Sequence, residues 1–89
     1  MDGAESRKID RKHVLLHATI ISAEGTQLAR IKDLSANGVQ ISFGRPLTEH
    51  SDVIFKRDTI FVAARVAWTS KTIAGLEFYR QLDESELDA

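Results

Sequence analysis

The chain has no cysteine, a single proline and no apolar run approaching the ~20 residues of a membrane-spanning helix. Without thiols, zinc ribbons, disulfide scaffolds and thiol catalysis are excluded. Charge of neither sign dominates: 12 Lys and Arg stand against 13 Asp and Glu, for a net charge of −1. Binding DNA or RNA in bulk requires a cationic footprint that releases counterions, so no DNA or RNA partner is expected. There is no Gly-rich phosphate loop of the P-loop or Rossmann type and no nucleophile paired with a base, so no catalytic residues are assigned and an enzyme is not expected. What remains is ordinary globular material, 43% hydrophobic and 28% charged over 89 residues, enough for one small domain. The opening Met1-Asp2-Gly3-Ala4-Glu5 is polar and acidic, unlike a secretory signal. The expectation is a soluble, cytoplasmic protein without membrane insertion.

Hydrophobic periodicity points to short strands. Val14 to Ser22 places Val14, Leu16, Ala18 and Ile20 on one face, and β-branched residues close the run. After the turn signal Glu24-Gly25, Gln27 to Lys32 alternates with Ala29 and Ile31 inward. Asn37-Gly38 is a strong turn signal, followed by Val39, Ile41 and Phe43 at period two. Gly44-Arg45-Pro46 ends that strand, because proline cannot donate to a ladder, and residues 47–52 read as loop. Val53 to Phe55, Thr59 to Trp68 and Ile73 to Tyr79 complete a set of six, with Ile60, Val62, Ala64, Val66 and Trp68 sharing one face. A flat sheet of this kind would leave an apolar face wet and two edges open, whereas closure into a barrel removes both problems. The chain is therefore expected to be all-β: an N-terminal arm over 1–12, an antiparallel six-stranded barrel over 13–80, and an acidic end over 81–89 that forms either a short helix or a frayed tail.

Two charged segments exceed what such a barrel needs. Residues 5–13 carry four cations and two anions, a local excess within a balanced chain. The segment Asp33-Leu34-Ser35-Ala36-Asn37-Gly38 combines a carboxylate, a hydroxyl and a position without a side chain. Read separately, the first is a solvated cationic terminus. The second is an ordinary turn in which Asp33 bonds its own backbone and Gly38 supplies a positive φ.

Together they resemble the PilZ domain family. Its RxxxR motif is met by Arg7-Lys8-Ile9-Asp10-Arg11 and its [DN]xSxxG motif by Asp33 to Gly38. The later Arg65-Val66-Ala67-Trp68 and Gly75-Leu76-Glu77-Phe78 are similar to the family as well, so that the likeness covers roughly residues 5–80. Ser6 and Ser42 stand where some members carry additional arginines. The resemblance implies a six-stranded barrel that binds the bacterial second messenger cyclic di-GMP, with RxxxR as a mobile arm over the ligand and [DN]xSxxG as the floor beneath one guanine. The implied ligand-binding residues are Arg7, Arg11, Asp33, Ser35 and Gly38. Lys8, Lys12, Asn37 and Trp68 are candidates for further contacts.

The residue types suit that ligand. Guanine presents O6 and N7 as adjacent acceptors, which a guanidinium meets bidentately, and the same plane stacks on purines or bonds phosphate. On its other edge guanine offers N–H donors to an acceptor-only carboxylate such as Asp33. Ser35 can bond a phosphate or orient Asp33, and Gly38 lets a base or phosphate approach the backbone. Lys8 and Lys12 suit general phosphate attraction. Trp68 ends an apolar face, so core packing is its default role and a stacking wall beside guanine the alternative. With no output domain expected in so short a chain, the signal would pass to another, unidentified protein.

Other readings compete. A PilZ-like interaction domain that binds no nucleotide would share the fold. A small barrel for single-stranded RNA or DNA would need exposed stacking aromatics and a cationic groove. No cofactor or metal is expected: His13 and His17 would stand about 13 Å apart on a strand, too far to share an ion, and His50 lies in a loop without a partner.

Overall fold

The computed structural model describes residues 16–87. Six antiparallel strands, β1 (His17–Ser22), β2 (Gly25–Leu34), β3 (Gly38–Ser42), β4 (Asp52–Arg57), β5 (Ile60–Ser70) and β6 (Ile73–Phe78), close into a barrel in the order β1-β2-β3-β6-β5-β4. A single turn of helix, α1 (Glu84–Leu87), follows. The expected all-β architecture is what forms. The expected acidic tail or short helix takes the helical option, and the first strand is described only from His17.

Alternation dictates the interior. Ala18 and Ile20 of β1, Ala29 and Ile31 of β2, Val39 and Ile41 of β3, and Ile60, Val62, Ala64 and Val66 of β5 are all buried. Phe55 of β4 packs against Phe78 at the end of β6, with ring centroids 5.4 Å apart and planes tilted by 47°. Among the described residues no polar side chain is buried, so the barrel is filled by its own apolar residues. A ligand must bind to the outside.

The connections follow local backbone chemistry. Gly25 (φ +132°), Asp58 (φ 50°) and Lys71 (φ 52°) take the left-handed conformation at the β1–β2, β4–β5 and β5–β6 turns. Asp58 also pairs with Arg57 at 3.1 Å. The loop after β3 crosses the barrel end that carries the β1–β2 turn. There the Gln27 side chain donates to the Arg45 carbonyl (2.9 Å), the Arg45 guanidinium donates to the Thr26 carbonyl (2.7 Å), and Leu47 is buried. The opposite end, at the β2–β3 turn, is covered by Leu82, whose N–H donates to the Ala36 carbonyl (2.9 Å).

Helix α1 is too short to stand alone, and side chains secure both ends of its first turn. The Glu86 N–H donates to Asp83 Oδ1 (2.9 Å) while the Asp83 N–H donates to Glu86 Oε1 (2.9 Å), a reciprocal capping box. Arg80 grips the same Glu86 carboxylate at 2.8 Å. That guanidinium, helped by the Asp83 N–H, holds the Glu86 carboxyl down at about 2.

Candidate functional site

Two β-bulges break the alternation, and both lie where the sequence carries chemistry. In β2, Ile31 pairs with Ile41 but Asp33 pairs with Gln40, so Lys32 is the extra residue. In β5, Val66 pairs with Leu76 but Trp68 pairs with Gly75, so Ala67 is the extra residue. A bulge inserts one residue on one strand and re-aims the next side chain. Ile31 and Val66 point into the core, and the bulges turn Asp33 and Trp68 outward. Core packing, the default expected for Trp68, is therefore not its role. It is 38% exposed on the outer wall, because the inserted Ala67 shifts the face that strict alternation assigns.

The registers of β2, β3, β6 and β5 then join these residues in one lateral row, Asp33–Gln40–Gly75–Trp68. Four strands at ~4.8 Å spacing make that row roughly 14 Å long. The neighbouring row runs Gly38–Glu77–Arg65. Between the rows lies an open cavity of about 320 Å³, lined among others by Asp33, Ser35, Asn37, Gly38, Trp68 and Glu77.

Two glycines permit this surface. A Cβ on Gly75 would lie 2.9 Å from Cδ1 of the Trp68 indole and closer still to Nε1, so the ring occupies the space a side chain would take. A Cβ on Gly38 would collide with the Leu76 carbonyl oxygen of β6. The positive φ offered as an ordinary reason for Gly38 is not found; close strand approach is what requires the glycine. The turn also closes one residue earlier than the Asn37-Gly38 signal suggests. The Ser35 N–H donates to the Gly38 carbonyl (2.9 Å), which leaves Ala36 and Asn37 at the tip.

That tip is braced from the end of the chain. The Asn37 carbonyl accepts the Phe78 N–H (2.9 Å), and Asn37 Oδ1 accepts the Gln81 side-chain amide (3.0 Å). Ser35 stays exposed and its hydroxyl reaches only the Gly38 carbonyl, at 3.3 Å. Ser35 and Asp33 both line the cavity.

A match to the PilZ domain family model spans residues 5–89, nearly the whole chain. This protein belongs to the PilZ family. PilZ domains are binding and adaptor domains rather than enzymes, and the family is one that binds cyclic di-GMP. No curated protein and no solved structure matches the chain. Of the PilZ motif residues, Asp33, Ser35 and Gly38 lie together, with Asn37 and Trp68 at the same cavity. Arg7, Lys8, Arg11 and Lys12 lie outside the described residues. Gln40 and Glu77 complete the wall and were not singled out from the sequence. Their alternation marked both as outward-facing, but only the β3–β6 register shows that they adjoin the motif.

Proposed function

We propose that this PilZ domain is a receptor for cyclic di-GMP that binds the messenger on the outer wall of β2, β3, β6 and β5. Asp33 accepts from the N–H edge of one guanine, and the Trp68 indole supplies a flat apolar wall for the base. Ser35 donates to a phosphate or fixes Asp33, and Gly38 keeps the floor low. Arg7 and Arg11, from the segment that precedes β1, bond the O6/N7 edge or the phosphates and stack on the exposed ring face. Lys8 and Lys12 add phosphate attraction. The protein acts in the bacterial cytoplasm without cofactor or chemistry of its own. Fixing the residues before β1 on the barrel creates a surface that a partner protein distinguishes from the unliganded one, which is the differential affinity signalling requires.

The observation that carries this reading is that two bulges deliver Asp33 and Trp68 to one row beside Gly38. The cavity of about 320 Å³ is at the small end for ligand sites, so it takes a base rather than a whole cyclic dinucleotide. The rest of the ligand stays exposed unless arginines from another segment cover it. The test is calorimetric titration at fixed salt with cyclic di-GMP, with GMP and the linear dinucleotide as controls. Saturable binding of the cyclic compound alone is expected. Absence of binding, together with absence of thermal stabilisation well above micromolar ligand, would leave an interaction domain that takes no nucleotide.

A further inference from the structure

The strand order places β1 and β4 across the barrel from β3 and β6. On that opposite wall several outward positions, which solvent normally fills with polar residues, are apolar. Leu28 is 69% exposed, Phe61 59% and Tyr79 62%. Their registers make them neighbours of one surface. One row runs Leu28–Thr19–Lys56–Phe61, and the next carries Ile21–Ile54–Ala63, with the Tyr79 N–H bonded to the Ala63 carbonyl at 3.0 Å. A shallow cavity of about 260 Å³ lies over Ile21, Ile54, Ala63 and Tyr79. Large exposed apolar side chains gathered on one wall mark an interaction site.

Its charge identifies the occupant. Arg30 and His17 face each other across β2 and β1, and Lys56 sits between Thr19 and Phe61. Among the described residues neither Arg30 nor Lys56 is in an ion pair, whereas Arg57, at the end of the same strand as Lys56, is held by Asp58. At the Tyr79 margin Asp52 accepts that tyrosine's hydroxyl, and Glu77 also lies within electrostatic reach of it, opposite Arg65. The wall thus sets apolar side chains around and beside Lys56 and Arg30, while its own carboxylates are engaged, Asp58 by Arg57 and Asp52 by Tyr79, in a chain of net charge −1. The closed barrel offers no strand edge, so an occupant must dock through side chains.

We propose that this wall docks an acidic amphipathic segment of a partner protein, its apolar face on Leu28, Phe61 and Tyr79 and its carboxylates on Arg30, His17 and Lys56. The proposal rests on the reading of the chain as a receptor that acts through a partner, and it assigns the partner a surface that leaves the ligand wall free. A second copy of the chain fits less well, because a two-fold interface would bring the same cations from both copies into one contact.

The test uses the full chain and two synthetic amphipathic helical peptides with the same leucine face, one with glutamate and one with lysine on its polar face. The glutamate peptide is expected to bind and the lysine peptide not. Leu28→Ser and Phe61→Ser should each weaken binding about tenfold, as loss of an anchor does. The double change Arg30→Glu with Lys56→Glu should reverse the preference, a gain that misfolding cannot imitate. Cyclic di-GMP titration of the same variants separates the two readings: peptide docking without messenger binding removes only the receptor reading. Binding of neither peptide, equal binding of both, or binding unmoved by these substitutions overturns the docking surface. So does preferential uptake by anionic phosphatidylserine vesicles, or self-association abolished by Leu28→Ser.

Discussion

Asp33 and Trp68 stand at the two ends of one lateral row, each turned out of the barrel by a β-bulge immediately before it. The extra residues are Lys32 and Ala67. Their effect is to set a carboxylate and an indole on the same outer wall, with Gln40 and Gly75 between them.

Asp33→Ala should weaken cyclic di-GMP binding by roughly 10- to 150-fold, since a charge-assisted bond contributes about 1.5–3 kcal/mol. Because Asp33 is exposed, the melting temperature should hardly change. Normal affinity in this variant would remove the guanine-edge role.

Trp68 is the only tryptophan in the chain, so its fluorescence reports on the site directly. Saturating cyclic di-GMP should change its emission, and Trp68→Ala should cost about tenfold in affinity, within the ~1–3 kcal/mol of a base–aromatic stack. Emission that stays constant through a calorimetrically saturating titration would place the base elsewhere.

Gly38→Ala and Gly75→Ala should separate stability from binding. At Gly38 the added methyl meets the backbone of β6, which cannot move without opening the β3–β6 ladder, so a loss of about 1–3 kcal/mol is expected. At Gly75 it meets an indole on the outer wall, which can swing away, so stability should fall less while affinity drops with the displaced ring. Paired denaturant melts and titrations would reveal the contrast, and equal destabilisation by both would contradict it.

Arg7→Ala or Arg11→Ala should each reduce affinity about 30- to 150-fold, the equivalent of roughly 2–3 kcal/mol for charge-assisted bonds. Calorimetry at fixed salt measures this. Unchanged affinity in both variants would discard the role given to these two arginines.

Acid should release α1 before it unfolds the barrel. Glu86 has its folded pKa lowered from 4.5 to about 2, chiefly by Arg80. A lowered carboxylate contributes stability that is complete above the unfolded value and declines as pH falls through the folded one. The α1 anchorage should therefore weaken between about pH 4.5 and 2, and Glu86→Gln should flatten that dependence. Amide exchange of residues 84–87 against pH would show it, and an identical profile in the variant would rule out the Arg80–Glu86 bond as the cause.

The strands and their inward faces were legible because alternation is local: Ala29 with Ile31, Val39 with Ile41, and Ile60 through Val66 all read correctly. The motif turn and its residues were legible from their order along the chain. Trp68 was misread because a bulge leaves no periodic trace; Ala67 is as apolar as its neighbours. Gln40 and Glu77 alternate with buried neighbours, so their outward face is a local property, but their place at the site is not, since pairing between β3 and β6 depends on closure of the whole barrel. The tie from Gln81 to Asn37 depends on the same distant contact.

That closure has a kinetic meaning. The Gly38–Glu77 pairing unites the middle of the chain with its last strand, and the entropy of closing that long loop must be met before the contact is gained. A nascent or partly assembled molecule has Asp33 but no Trp68 opposite it. On the proposed reading, the messenger would be captured by a finished barrel alone, and only copies in their native topology would report it.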